Sequence, residues 1–587
     1  MSDRVVPPTP PTAGPTAPGV TTFIHHNAPF GPVASEDLGN GRLRNELFDK
    51  ENRVYSRLVR RDPAFVIGRR GAGKTSFLHA LTTDRPTLDV TVDTSTAIAE
   101  IEELREALEE YRVKILTDHV SKIWAAALWH HVLLRLVKKR PEGVHVDDQR
   151  FDAIRVYLHD LADRDPVYIT EDEILGLFCE YFLEQAMERR TLARNPLALR
   201  IGDVTLAEIV ELADEVLTEA ELQAVLLMDS IEDFKRVLDQ HADAIGGLFN
   251  CVGRSAQPLA PYRIRFSFPA ELWNVLNTMS ENPLKDFGSF IVLHWSAREI
   301  VKIAAHRYML YLRHFHEPFL QRNKPVARLS IDNERDAIKL LRAVLPERVT
   351  GELGIEEDTI AYVLRHTQLL PRHLLRILNA IWLREGAPEG STQVSQEAVV
   401  LGIRDVEEQI VTEICKAYEL VHPVANDVCR AVIKNLPRRF SDSELHRTFN
   451  QVGKGALKRA HQRLEQRQLA APVRRYGTYG SPGPDMDYHD FKAMLIEIGC
   501  LGRLREQTER YDVADFDYTV SVRLSLGDDD IICVHPLFSG VYQSRTQPDQ
   551  DHRVVYPYGT DPLVDHRAFD RELDRAPDRQ SRGNTVR

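Results

Sequence analysis

Two rhythms of apolar residues alternate along the chain and divide it. Short apolar runs at 65–67 (FVI), 87–93 (TLDVTVD), 224–228, 262–268 and 289–293 have the length and composition of strands. Between 100 and 220 the apolar positions instead fall at helical spacing. Residues 171–190 (EDEILGLFCEYFLEQAMERR) form an amphipathic pattern, whereas 121–139 (SKIWAAALWHHVLLRLVKK) is apolar on more than one face and is expected to be buried. Strands separated by helices predict a parallel sheet covered by helices. Residues 296–314 open with Ser296 and Glu299, an S-x-x-E capping box, and start a further helix. The helical pattern continues over 315–400 and ends in LLPRHLLRILNAIWL. Residues 401–480 stay helical and become basic, and 511–545 return to strand-like pieces, DFDYTVSVRLSL and IICVHPLF, joined by Gly527-Asp528-Asp529-Asp530.

Composition narrows the class. At 587 residues the chain exceeds one compact core, so several domains are expected. The formal net charge of −12 argues against a protein that coats nucleic acid along its whole surface, while leaving room for a local basic module. The six cysteines are scattered without a C-x-x-C pair, which points to reduced thiols and a cytoplasmic protein rather than a zinc or disulfide framework. No apolar run approaches the roughly 18 residues that span a bilayer, so no membrane partner is expected. Residues 1–22, rich in Pro, Thr and Gly, read as a disordered arm, and 561–587 as a charged, flexible tail.

The chemistry begins in FVIGRRGAGKTSFL, residues 65–78. Gly68, four residues, then Gly73-Lys74-Thr75 is the spacing of a phosphate-binding loop. Glycines at 68, 71 and 73 let the backbone curl so that N–H groups face phosphate oxygens. Lys74 would reach the β- and γ-phosphates and the Thr75 hydroxyl would hold Mg²⁺, with Ser76 beside it in the first helical turn. A strand before the loop and a helix after it supply the required context. A second signal is AVLLMDSIEDF, 224–234, in which an apolar strand ends at Asp229, a carboxylate placed to bind the metal opposite Thr75. Glu232 and Asp233 follow. One of them would polarise the attacking water, or both are acids favoured at a helix start. Guanine is disfavoured, because Asn323-Lys324 is followed by Pro325-Val326 and lacks the aspartate of N-K-x-D. Adenine, hence ATP with Mg²⁺, is the expected ligand.

The succession GRRGAGKTSFL, MDSIEDF, IRFSF, IVLHWSAREIVKIAAHR and LLPRHLLRILN resembles the P-loop ATPases of the AAA+/STAND superclass, of the bacterial origin-recognition-like type. The resemblance covers about residues 40–545. It implies an α/β fold: a parallel-sheet P-loop core over 23–314 with a large helical insertion at about 100–220, a helical lid over 315–400, and a winged-helix α+β module over 401–560. It further implies Asp229 as metal ligand, Glu232 and Asp233 as the acidic pair, with Glu232 ahead, and Ser267 as a polar sensor of the γ-phosphate. Arg372 falls where the lid supplies an arginine to the nucleotide; its fork geometry suits a γ-phosphate that comes and goes. Ser230 stands where the catalytic glutamate of AAA+ proteins usually lies, and Lys74 and Asp229 are 155 positions apart. Both departures favour slow, switch-like turnover.

Residues 430–480 hold twelve Lys/Arg against three Asp/Glu. SDSELHRTF starts a short helix at Ser441, and GKGALKRAHQRLEQRQL follows a Gly-containing turn. Leu457, Ala460/His461 and Leu464 share one face and leave Lys454, Lys458, Arg459, Arg463 and Arg467 on the remaining surface. With VRRYGTYG as a wing carrying Arg474 and Arg475, the segment resembles a winged helix-turn-helix, whose partner is double-stranded DNA or a protein. Two functions are therefore expected: an ATP-hydrolysing switch coupled to this module, or a nucleotide-tuned interaction module with negligible hydrolysis. Oligomeric state is left open.

Overall fold

The computed structural model describes residues 24–33, 48, 52–82, 86–113, 115–141, 148–229, 241–257, 260–273, 289–351, 353–386, 393–468 (467 and 468 by backbone alone), 485–507, 511–520, 523–545 and 553–560. The N-terminal arm, the C-terminal tail, Glu232, Asp233, Arg474, Arg475 and the Arg467 side chain lie outside them.

Five strands build a parallel sheet: β1 (Phe65–Gly68), β2 (Thr87–Val92), β5 (Gln223–Met228), β6 (Tyr262–Pro269) and β7 (Phe290–Leu293), in the order β2-β5-β6-β1-β7. The hairpin β3 (Arg200–Ile201) and β4 (Val204–Thr205) lies within the insertion. The protein is thus α/β, and the order puts β1 between β6 and β7. The chain leaves β1 toward one side and returns across it from β6 to β7. In open α/β sheets the carboxyl ends at such a reversal form the ligand crevice.

Alternation along the strands divides two cores. Phe65, Ile67, Leu226 and Met228 face a core shared with the insertion, while Val66, Val225 and Leu227 face the lid side. The insertion's helices are Thr94–Glu110, Thr117–Lys139, Gln149–Ala162, Glu173–Glu188 and Leu206–Glu219. The second is buried on most of its circumference, as its all-round apolar pattern requires, and packs on helix Ala242–Ser255. There Gly247 permits a close crossing; a Cβ on it would sit 2.5 Å from Val120. Helix Ala297–Phe315 starts at the Ser296/Glu299 capping box.

Beyond it lie helix Glu334–Arg342, the hairpin β8 (Arg348–Thr350) and β9 (Glu356–Asp358), then helices Thr359–Arg365, Pro371–Glu385 and Gln396–Ala417. A second sheet follows, in the order β10-β13-β11-β12-β14: β10 (Arg439–Ser441), β11 (Leu501–Gln507), β12 (Tyr511–Asp515), β13 (Ile531–Val534) and β14 (Val554–Pro557). Its pairings are antiparallel except β12 with β14. One continuous apolar core runs from the phosphate-loop helix through the lid to this sheet. No described helix is long and apolar enough to cross a membrane.

Three local expectations need correction. Of DFDYTVSVRLSL (515–526), Asp515 ends β12 and the other described residues hold a short 3₁₀ turn at Asp517–Thr519, because Phe516 turns into the interior and Asp517 accepts from Leu524 N–H (2.9 Å) in place of a ladder. Strands β11 and β14, not singled out in the sequence, complete the sheet. The break at Gly453 is absent. Helix Asp442–Thr448 runs through a wider π turn, Phe449–Gly453, into helix Lys454–Gln468. A Cβ on residue 453 would lie 2.8 Å from Phe449 Cδ2, so glycine lets the helix wind past that ring instead of ending. Another helix, Tyr488–Glu497, intervenes before β11.

A candidate nucleotide site at the carboxyl ends of the parallel sheet

The loop between β1 and helix Lys74–Ala80 turns through two left-handed residues, Gly71 (φ 86°) and Gly73 (φ 87°). Only glycine takes that backbone without strain. Lys74 and Thr75 open the helix; Lys74 is only 5% exposed, and Thr75 and Ser76 are half-buried. The loop is braced from the next strand over. Glu271, just past β6, accepts from Arg70 N–H (2.8 Å), and Trp295, just past β7, donates its indole N–H to Ala72 O (2.9 Å).

Register brings the two polar strand ends together. Met228 pairs with Phe266, so the next residues, Asp229 and Ser267, stand level. The Ser267 hydroxyl donates to Asp229 Oδ1, and Thr94 Oγ1 donates to Asp229 O (3.0 Å). On its other side Ser267 pairs with Val66, two residues before Gly68. An aspartate and a serine are therefore fixed at the mouth of the sheet, beside the strand that leads into the loop.

The lid closes the opposite wall. Arg372, in the first turn of helix Pro371–Glu385, meets the loop so closely that a Cβ on Gly71 would be 2.9 Å from Arg372 Cβ. Here the second glycine requirement is steric as well as conformational. Gly71, Gly73, Ser76 and Arg372 border a cavity between the loop and helix Pro371–Glu385. Its remaining walls are mainly apolar: Phe48, Phe77, Trp295, Ile303 and Leu375. Phe48 meets Phe77 edge-on at 5.1 Å, and Phe77 lies 5.7 Å from Trp295. Arg307 also reaches this wall, donating to Phe30 O (3.1 Å) and Pro32 O (2.5 Å); burial pushes its pKa down to about 10. The aromatic wall was not read from the sequence. Its one signal was the aromatic residue that ends IVLHW (291–295) and NELF (45–48), a feature too common to single out.

Arg69 turns away from the cavity toward the second sheet. Its Nη2 donates to Gln368 Oε1 (2.5 Å), and its guanidinium lies 5.4 Å from the Tyr518 ring centroid. Burial works against its charge, but Tyr418, Glu271, Tyr518 and Asp517 outweigh burial and raise its pKa. A residue of the loop thus touches both the lid and the C-terminal region.

The sequence-nominated surface residues are placed apart from this site. Lys454, Lys458, Arg459 and Arg463 are exposed on helix Lys454–Gln468, over the buried Leu457 and Ala460. Arg463 pairs with Asp427 (3.3 Å), and Lys454 Nζ lies 5.5 Å from the Phe449 ring centroid.

The residues at the sheet's mouth have the chemistry that a nucleotide and its cation need: a glycine-cradled loop, a buried lysine and a strand-end carboxylate. The aromatic-walled cavity borders the loop at Gly71, Gly73 and Ser76, and Lys74, Asp229 and Ser267 are not in its lining. No protein-family model matches the chain, and no curated protein matches it. Among solved structures, the chain is similar to the Aeropyrum pernix ORC2 protein in its ADPNP–ADP complexes. The similarity covers 82% of this chain and 87% of that one, at 11% identity and a TM-score of 0.31. So loose a superposition leaves the functional reading to the geometry of the site itself.

Proposed function

We propose that this chain is an ATP-binding, slowly hydrolysing P-loop ATPase that works as a nucleotide-dependent switch, of the origin-recognition-like AAA+/STAND kind. The observation that carries the reading is the contact of the Arg372 turn with Gly71, at the mouth where Asp229 and Ser267 meet. The glycine loop and Lys74 would hold the phosphates, Thr75 and Asp229 would hold Mg²⁺, and Phe48, Phe77 and Trp295 would offer an apolar wall to the base. The cation, when bound, would supply Lewis-acid stabilisation of phosphate charge. Ser267 orients the Asp229 carboxylate. Glu232 or Asp233 takes the proton of the attacking water. Arg372 stabilises the charge of the triphosphate state and ties the lid to it.

Because the lid and the second sheet share one core, a change at Arg372 is felt in the basic C-terminal module. That module, with Lys454, Lys458, Arg459 and Arg463 exposed and Arg467, Arg474 and Arg475 in the same basic segment, contacts the phosphates of double-stranded DNA. ATP turnover followed with and without DNA tests the whole reading. Lys74→Ala abolishes nucleotide binding, and Glu232→Gln/Asp233→Asn binds ATP but does not release its γ-phosphate. Wild-type turnover by the double variant would remove both residues from the role of base. ATP binding without turnover in the wild type would leave a nucleotide-tuned interaction module instead.

A further inference from the structure

Beyond the candidate nucleotide site, a second cavity lies where the lid meets the second sheet. Helix Gln396–Ala417 gives it one face, since Val400, Ile403, Arg404 and Glu407 recur at helical spacing. Arg365 and His366 enter from the preceding lid helix, Arg438 from the residues before β10, and Arg553 from the start of β14. Four guanidiniums therefore line the cavity with one carboxylate, Glu407, among its described lining residues, and two of the four, Arg365 and Arg553, also meet acids outside the lining.

That carboxylate is already engaged: His366 Nδ1 and Glu407 Oε1 are 2.5 Å apart. The other acids nearby are held as well. Glu357 pairs with Arg365 Nη2 (3.0 Å) and accepts from Tyr556 OH (2.6 Å). Asp512 lies between Arg439 (3.1 Å) and Arg553 (3.5 Å). Among the buried polar atoms of the lining, Arg365 Nε and His366 Nε2 have no hydrogen-bond partner among the described residues, each on a residue only 8% exposed. Leaving such atoms unsatisfied is costly, and a bound group in the cavity would relieve it. Tyr362, Ile403, Val534 and Val554 supply an apolar wall beside the cations.

We propose that this cavity is a second ligand site, for a small molecule carrying two or more phosphate groups, bound across the joint between lid and second sheet. Guanidiniums match phosphate oxygens in pairs, which favours an oligophosphate over a single carboxylate. Because the walls come from both halves of the joint, an occupant clamps the lid to the C-terminal region.

The test uses the full-length Lys74→Ala protein, so that the phosphate loop is silenced, with inorganic pyrophosphate as the probe in calorimetric titrations. Pyrophosphate is expected to bind and to raise Tm. Arg404→Glu, a change at an exposed position that leaves folding intact, should weaken binding by roughly tenfold or more, and Arg438→Ala by a similar factor. No binding at millimolar pyrophosphate would overturn the proposal. So would binding that Arg404→Glu leaves unchanged, since that places the anion elsewhere, including at the altered phosphate loop. The arginine variants retain Lys74 in a parallel ATP titration. Loss of ATP binding by Lys74→Ala alone bears on the nucleotide site and is read separately.

Discussion

The molecule presents positive charge in two places, and it does so by opposite means. At the phosphate loop, Lys74 is buried and Arg69 is held by Gln368 and Tyr518, so each cation has one geometry. On helix Lys454–Gln468, Lys454, Lys458, Arg459 and Arg463 stand exposed to solvent. A preorganised, desolvated cation recognises a particular group in a particular place, whereas an exposed one adds to a screened field that attracts any polyanion. Under the proposed function, the buried Lys74 would serve nucleotide recognition, and the exposed face would give DNA affinity without reading a base.

The sharpest break in that comparison is Lys74→Ala. It should lower ATP affinity by roughly 100-fold or more, seen by titration with a fluorescent ATP analogue, because a charge-assisted contact is lost in a buried setting. Retained affinity would mean the loop does not hold the phosphates. Gly71→Ala comes next. The left-handed backbone and the 2.9 Å approach to Arg372 Cβ both resist a methyl group, so denaturant melts should show a loss of about 2 kcal/mol. If the variant is as stable as the parent, lid and loop are not in the contact described here. Arg69→Ala removes a bond to Gln368 and the approach to Tyr518, and should destabilise by roughly 1–2 kcal/mol while leaving the cavity wall intact.

Charge reversal on the exposed helix should behave differently. Arg459→Glu with Arg463→Glu is expected to change stability by no more than about 0.5 kcal/mol, since the Arg463–Asp427 pair is exposed. The same change should flatten the dependence of DNA affinity on salt by a slope of about 2 in filter binding. An unaltered slope would take those arginines out of the DNA contact. A third kind of site, the insertion, should respond to pH alone. Burial pushes the His130 pKa down to about 4, from 6.5 when exposed, and its ring contacts Ala126 O (2.8 Å) and Tyr157 OH (3.1 Å). Between those values the unfolded chain binds the extra proton, so stability falls as pH drops from 6.5 toward 4. His130→Gln should shallow that slope in melts at pH 5 and pH 7.

Much of the nucleotide end was legible because its requirements are local. Two glycines set a left-handed loop, a lysine and a threonine follow at fixed spacing, and an apolar run ends in aspartate; each can be read within a dozen residues. The capping box at Ser296 and Glu299 is equally local. The C-terminal end was less so. Its basic face was visible, yet the expected turn at Gly453 is a π turn, because glycine is needed there for Phe449 and not for a break. DFDYTVSVRLSL has strand-like residues, but past Asp515 the chain leaves the ladder as Phe516 packs inward and a 3₁₀ turn follows. Short apolar runs do not say whether they pair or simply fill a core.

What the sequence by itself determined is the set of local commitments: the glycine loop, the buried helix at 117–139, the capped helix after Ser296 and a basic helical face. The tertiary structure alone decided who meets whom. It seated Ser267 beside Asp229 through strand register, laid Arg372 against Gly71, and carried Arg69 to Gln368, 299 positions away. It also gathered four arginines from separate elements around the second cavity. The reason is physical. Backbone conformation and amphipathic periodicity act over a few residues, whereas strand order and the packing of lid on loop depend on burying apolar surface across the whole chain.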